Sequence, residues 1–405
     1  MEHDCHCKAM TLHIFDNTLR DKRGHHYEYD KSIYDEWTSM GFQAKVYCHQ
    51  KAKRDIRESL SGMPNFSHDI HYSVSRIPKI GQTINFFLGN LFFWKDLRKI
   101  DPKSFSKSDI ALFHTLSYNQ LLGLFIWYKS LPVENQPFVV LLLRYTNIVF
   151  RPQKMWRRSR YLYKFIFKLF SNYLRKYNIV LAADSDILAE EYEELSGVKV
   201  SVLPIPHLPH NGNSKHSGKM TSFIYLGDAR EEKGYCLLPE AIRGILGERK
   251  DIRFVIQSNV SENPSKAVLK TKAELSTIGE TVVVVDGPLE TEEYYKLLSE
   301  ADAVLLPYCQ STYYGRTSGI FAEALAFGKP VITTADTWME LQIKKYNNCG
   351  VTFNGYNAQE LKNAIEVFLN NKKDFSIKAK EASMEWKKFY NARTYIDRLL
   401  ALRRQ

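Results

Sequence analysis

Short, unbroken apolar runs alternating with helix-length amphipathic segments constrain this chain more than any other feature. Residues 11–15, 44–48, 110–113, 138–143, 179–182 and 198–203, and then 222–226, 253–257, 281–285, 303–306 and 331–334, have the length and the Val, Leu and Ile content of strands. Strands without polar alternation are buried on both faces. The segments between them, of which 27–40 reads most clearly as a helix, supply the cover, so parallel sheets are expected rather than a sandwich. Residues 84–94 are too aromatic and compact to assign from the pattern. Pro204, Pro206 and Pro209 stiffen the middle of the chain, and a polar, glycine-containing stretch follows them. With 405 residues the chain exceeds one ordinary core. The expected fold class is α/β with two Rossmann-like domains: an N-terminal domain over 1–210, a linker over 211–218 and a C-terminal domain over 219–376. A helical stretch over 377–405 carries Trp386, Tyr390, Tyr395, Leu399 and Leu400 for packing.

The formal net charge of +11 favours anionic partners, and its distribution narrows them. No acidic residue lies between Glu134 and Asp184, whereas Arg144, Arg151, Lys154, Arg157, Arg158, Arg160, Lys164, Lys168, Arg175 and Lys176 do. Met155, Trp156, Tyr161, Leu162, Phe165, Ile166, Leu169, Phe170 and Tyr173 interleave with them. Residues 144–176 are therefore expected to meet an anionic membrane surface peripherally, because the charges exclude a spanning helix. The competing reading packs the same apolar residues on the core and leaves a solvated basic face. No module for reading specific nucleic acid is recognisable. The six cysteines are scattered and the chain opens without a secretory leader, so a reducing cytoplasm is expected. His3, Cys5, His6 and Cys7 lack distant partner ligands, and no metal is expected there.

Chemistry concentrates at strand ends. After Pro307, a polar loop through Gly315, Arg316 and Thr317 leads into a helix that begins near Ser318, carries Glu323 and stops at Gly328. The amides of Ser318, Gly319 and Ile320 suit a phosphorylated ligand, although an ordinary capped helix would look the same. After strand 222–226 come Gly227, Asp228, Arg230, Lys233 and Gly234, which read either as a phosphate-binding loop or as a solvated turn. His114 ends the strand 110–113 and fits a structural or a functional role. Asp16, Arg20, Arg23, Gly24, His25 and His26 occupy the first strand-to-helix connection, which reads either as a polar ligand-facing loop or as a loop started by Asp16 and Asn17 with the two histidines opening a solvated helix; no hydrolytic triad follows from their spacing.

Over residues 221–366 these segments resemble the nucleotide-sugar domain of the retaining glycosyltransferases of family four, whose GT-B architecture sets two Rossmann-like domains face to face with the donor in the cleft between them. The resemblance implies that Lys233 neutralises the donor diphosphate, with Gly227 allowing close approach, and that Glu323 binds the ribose. Asp228 stands where the family has a basic residue, so Arg230 is the substitute. Gly315 stands where the family has a second glutamate, and the neighbouring Arg316 is a candidate for phosphate or an acidic sugar. Thr317, Ser318, Gly319 and Ile320 would line the diphosphate. The turn containing Gly287 and Leu289 would meet the base, with uracil and guanine both open. In the first domain, His114 matches a functional histidine beside the transferred sugar, Gly24 a close-approach glycine, and Asp16, Arg20, Arg23, His25 and His26 the acceptor side. The terminal helix is expected to cross back to the first domain. The implied reaction moves a sugar from a nucleoside diphosphate sugar to a hydroxyl of a glycan or lipid-linked acceptor with retention, as in bacterial polysaccharide, lipopolysaccharide or glycolipid synthesis, without a cofactor or essential metal. A sugar-nucleotide epimerase or phosphorylase, and a non-catalytic nucleotide-sugar-binding protein, stay open as alternatives.

Overall fold

The computed structural model describes residues 10–22, 26–70, 80–151, 153–176, 178–206 and 220–404. It divides into two compact units: residues 1–148, 156–207 and 392–405, and residues 149–155 and 208–391.

In the first unit, the strands β1 (Thr11–Phe15), β2 (Gln43–His49), β3 (Gly62–Phe66), β4 (Ile110–His114) and β5 (Phe138–Leu143) precede a small two-stranded ladder of β6 (Ile148–Arg151) and β7 (Gln153–Trp156). They are followed by β8 (Ile179–Ala183) and β9 (Val200–Val202). Apart from the ladder they form one parallel sheet in the order β3-β2-β1-β4-β5-β8-β9. Helices cover both faces because both faces are apolar. Phe15, Phe113 and Leu141 point to α3 (Ile80–Leu97), α4 (Tyr118–Ser130), α5 (Ser159–Leu169) and α7 (Asp186–Ser196), with the short α6 (Ser171–Arg175) between the last two. On the other face Ile14, Leu112 and Val140 meet α1 (His26–Ser39), α2 (Arg54–Ser59) and α16 (Ala392–Arg404).

The second unit holds β10 (Thr221–Tyr225), β11 (Ile252–Ser258), β12 (Val282–Asp286), β13 (Ala303–Leu306), β14 (Val331–Thr334) and β15 (Val351–Phe353) in the parallel order β12-β11-β10-β13-β14-β15. Phe223, Phe254 and Ile256 pack against α8 (Leu238–Glu248), α9 (Lys266–Leu275) and α14 (Ala358–Asn370). The remaining helices are α10 (Thr291–Glu300), the single turn α11 (Gln310–Tyr313), α12 (Gly319–Ala326), α13 (Trp338–Lys345) and α15 (Lys372–Phe389). Phe321 of α12 joins α13 to α15 through Trp338 and Trp386, with ring centroids 5.4 and 5.8 Å away.

Each sheet therefore reverses its winding once, between β1 and β4 in the first unit and between β10 and β13 in the second. At such a switch point the loops leaving the two central strands part to opposite faces, and the crevice at the strands' carboxyl ends admits a ligand.

Three segments differ from expectation. Residues 84–94 belong to α3, which packs nearly backbone to backbone on α4: a Cβ on Gly123 of α4 would lie 2.3 Å from the Asn90 carbonyl oxygen. The edge strand β3, which contains Pro64, went unread because proline disfavours a strand except at an edge. The terminal stretch is two helices, broken at Tyr390 and Asn391, and α16 sets Tyr395, Ile396 and Leu399 in the core of the first unit. The linker 211–218 lies outside the described residues, as does the His3 to Cys7 cluster. Cys48, Cys236, Cys309 and Cys349 are free thiols. Among the described residues no helix is long and apolar enough to cross a membrane.

Candidate functional site

At the switch point of the second sheet, the loops after β10 and β13 are locked together. The amide of Cys309 donates to the Glu232 carbonyl at 2.8 Å. Gly234 has φ +73°, and a Cβ there would meet the Pro307 carbonyl oxygen at 2.0 Å, so glycine is required twice over. The 3-10 turn Glu231–Lys233 just before it delivers the buried Lys233. The Lys233 Nζ lies 3.6 Å from Asp228 Oδ2. Burial depresses its pKa, Asp228 partly restores it, Arg230 and Arg316 depress it further, and the result is about 8. A buried ammonium whose one carboxylate is shared with Arg230, and which has two cationic neighbours, is under-neutralised, and an added anion relieves that state. Arg230 is better balanced: its guanidinium sits 3.3 Å from Asp228 and 3.1 Å from Glu232.

The helix α12 adds backbone donors. Ser318 is its N-cap and accepts from the Phe321 amide through Oγ at 3.2 Å, so that side chain serves the helix. The amides of Gly319 and Ile320 belong to the first turn, where no intrahelical carbonyl reaches them. Thr317 is buried, and the Arg316 guanidinium stands 5.3 Å from the Tyr313 ring centroid. Glu323 is buried and accepts a hydrogen bond from the hydroxyl of Tyr294 on α10. Gln257 on β11 bridges two of the expected glycines. The Gly227 amide donates to Gln257 Oε1 at 2.6 Å, and Gln257 Nε2 donates to the Gly287 carbonyl at 3.0 Å. Leu289 is half-buried in the turn that follows.

The switch point of the first sheet holds a buried polar network. Asp16, at the end of β1, uses Oδ1 to accept from the amides of Thr18 at 2.8 Å and Leu19 at 3.2 Å. Its Oδ2 accepts from His26 Nδ1 at 2.6 Å. Burial acts to raise the Asp16 pKa, but His26 and His114 outweigh it and hold the carboxyl well below its usual range. His114, at the end of β4, is fully buried; Nδ1 lies 2.8 Å from Asp30 Oδ1 and 3.3 Å from Asp16 Oδ2. Arg144 NH1 lies 2.9 Å from His114 Nε2, and Arg144 Nε donates to Asp184 at 2.8 Å. Burial lowers the His114 pKa, and Asp30 and Asp16 raise it more, to about 9. A guanidinium has no acceptor, however, so Nε2 must offer its lone pair to Arg144 and the ring as placed carries its proton on Nδ1.

That tautomer bears on metal binding. One ligand atom each from Asp16, His26 and His114 falls within 4.8 Å, a spacing compatible with a cation. With Nδ1 protonated, His114 cannot ligate, and the Arg144 charge beside it opposes a second cation. Both features weigh against a cation held by these three side chains.

The structure thus gathers Lys233, Arg230, Gly227, Gly287, Arg316, Thr317, Ser318, Gly319, Ile320 and Glu323 on loops and helix starts of one unit, and Asp16, His26 and His114 in the other. Arg20 is drawn to the β2 and β3 side, where its NH2 meets Asp69 Oδ2 at 2.7 Å and His49 Nε2 at 2.9 Å. Arg23, Gly24 and His25 lie outside the described residues. Sequence reading missed Asp30, Arg144, Asp184, Gln257 and Tyr294. Asp30 alone left a local signal, lying one helical turn after His26.

Comparison with known proteins bears on the second unit most directly. Residues 210–386 match the family of group 1 glycosyl transferases. No curated protein matches the chain. Over their whole length, solved structures share the fold. A glycosyltransferase from Rickettsia africae has 12% identity and a TM-score of 0.66 over 98% of both chains. Anabaena HepE, solved in complex with UDP-glucose, has 11% identity and a TM-score of 0.64 over 97% of this chain and 98% of its own. The N-terminal domain of Candida albicans trehalose-6-phosphate phosphatase has 13% identity and a TM-score of 0.68 over 99% and 98%. Two parallel sheets, each flanked by helices, are the GT-B architecture that these proteins share.

Proposed function

We propose that this chain is a glycosyltransferase that moves a sugar from a uridine diphosphate sugar to a hydroxyl acceptor with retention at the anomeric carbon. The observation that carries the reading is the under-neutralised Lys233 beside the start of α12, at the switch point of a unit that matches group 1 glycosyl transferases. Uridine is chosen because HepE was solved with UDP and with UDP-glucose. Residues 219–376 are the donor domain, and residues 1–210 with the terminal helix are the acceptor domain.

In this reading Lys233 and the Gly319 and Ile320 amides hold the diphosphate and stabilise the charge that develops as the glycosyl bond weakens. Glu323 receives the ribose hydroxyls. Arg230 and Arg316 reinforce the positive field, with Thr317 and Ser318 shaping the loop, and no divalent cation is required. Gly227, Gly287 and Leu289 border the nucleotide. His114 acts through the charge of its network, because both of its ring nitrogens are engaged. His26, the more exposed ring held by Asp16, meets the acceptor, and Arg23, Gly24 and His25 are acceptor-side candidates by their place in the same connection. The acceptor is a glycan or lipid-linked alcohol, used by a cytoplasmic enzyme in bacterial polysaccharide, lipopolysaccharide or glycolipid synthesis.

Incubation with UDP-sugars and an alcohol acceptor, followed by product mass and anomeric analysis, tests this. UDP release coupled to an α-linked product from an α-linked donor is expected. One observation favours a second reading: Gly315 offers no carboxylate to the transferred sugar. Tight UDP-sugar binding without turnover toward any acceptor would make the chain a nucleotide-sugar-binding protein.

A further inference from the structure

The helix layer of the first unit that contains α3, α4 and α5 shows more apolar surface than its core requires. In α5, Tyr163, Ile166 and Phe167 face the core, and in α3 Phe86, Phe93 and Leu97 do. Yet the opposite side of α5 presents Tyr161, Phe165 and Leu169 at 62%, 56% and 57% exposure, spaced one helical turn apart. The opposite side of α3 likewise presents Ile84, Phe87 and Leu91, with Phe87 at 63% exposure. A helix apolar all round normally lies inside a protein or against another apolar phase. The helix α4 sits between the two: Phe86 and Tyr163 both contact Tyr118, and Phe125 stacks on Phe170 at 4.3 Å. All three helices pack on one sheet face, so their outward sides look the same way.

The exposed charges on α3 to α6 have one sign. Arg157, Arg158, Lys164, Lys168, Arg175 and Lys176 are exposed around the α5 stripe. The α3 stripe continues into the exposed Lys95 and Arg98. Exposed carboxylates lie past the ends of these helices, at Asp101 after α3 and Glu134 after α4, and on α7 at Asp186, Glu190 and Glu194, which mark the edges of the face. Arg144, counted with the basic stretch in sequence, is excluded, because it is committed to Asp184 and His114. Ile166 and Phe170 also belong to the core. The side chains of residues 151–156 lie outside the described ones.

We propose that this face docks on a membrane rich in anionic phospholipid, with Phe87, Phe165 and Leu169 entering the headgroup boundary and Lys164, Lys168, Arg157 and Arg158 contacting phosphates. Apolar stripes bordered by cations match an interface with an apolar interior and an anionic rim, and no helix here crosses it. This inference rests on the exposed faces and is independent of the transfer reading.

Flotation of the full chain tests it, with phosphatidylcholine vesicles with and without phosphatidylglycerol. Binding to the anionic vesicles alone, released by salt, is expected. Lys164→Gln with Lys168→Gln should weaken it roughly 10–30-fold, and Phe87→Ser or Phe165→Ser roughly tenfold. UDP release with a soluble acceptor should stay unchanged in all of them, which separates failure here from failure of the transfer reading. No flotation, or equal flotation of wild type and variants, overturns the proposal. So does a wild-type dimer in sedimentation that the phenylalanine variants dissolve while vesicle binding is absent, since the face would then join two copies.

Discussion

Tyr294 and Glu323 are joined by a hydrogen bond from the phenolic hydroxyl to the buried carboxylate, which ties α10 to α12. Burial and the nearby Glu323 charge push the Tyr294 pKa well above its ordinary value, so the phenol stays a donor throughout the working pH range. One carboxylate oxygen is thereby fixed. If Glu323 binds the donor ribose, Tyr294→Phe should raise the donor KM about tenfold, the size of a hydrogen bond to a charged group, and leave kcat within about twofold. Steady-state kinetics at saturating acceptor decide it, and an unchanged KM would detach Glu323 from the donor.

Lys233 gives the donor site a pH signature. Its pKa of about 8 lies below the ordinary lysine value, so the folded protein loses this proton before the unfolded chain does. Burying the charged form costs stability in full below about 8, and that cost fades as pH rises from there toward the unfolded value. Donor binding runs the other way, because a diphosphate favours the ammonium. Its affinity should fall as pH rises through 8, and UDP binding near that pH should take up a proton. Titration calorimetry in two buffers of different ionisation heat measures the uptake. Lys233→Ala should abolish it and weaken UDP binding at least tenfold, with unchanged or slightly raised thermal stability.

His114 makes a contrasting case. Its removal leaves Arg144 and Asp30 buried without their shared partner, so His114→Ala should lose about 3 kcal/mol of stability. That would lower the melting temperature by roughly 6–12 °C for a unit of this size. Calorimetry alongside single-turnover transfer separates the effects. Lost transfer with an unaltered melting profile would give His114 a direct role at the reacting sugar, whereas the structure supports loss of both.

The contrast between these residues shows what the sequence could convey. The strand bounds of β1, β5, β13 and β14 were legible because unbroken apolar runs define buried parallel strands locally, and Ser318 was legible as a helix start from its spacing. The loops after β10 and β13 could be named, but not their adjacency, which depends on strand order. Arg144 read as one cation among ten, and only the pairing of β4, β5 and β8 brings it to His114 and Asp184. Tyr294 and Gln257 left no mark, since Tyr294 works through one contact and Gln257 through two, each made across about 30 residues of chain.

Gly234 offers the sharpest steric test of the donor loop. At φ +73°, an alanine methyl would be strained, and it would also meet the Pro307 carbonyl, which is held in the β13 loop and cannot move away without dragging that strand end. The 3-10 turn carrying Lys233 must shift instead. Gly234→Ala should cost at least about 2 kcal/mol and reduce donor affinity as much as Lys233→Ala does. Gly247, near the end of α8, has nothing within 4 Å of a built Cβ and lies on the exposed side. There alanine should stabilise by about 0.5–1 kcal/mol and leave UDP binding untouched. Thermal melts and UDP titration of the two variants read both quantities, and a Gly234→Ala protein that binds UDP normally would show that the Lys233 loop does not position the diphosphate.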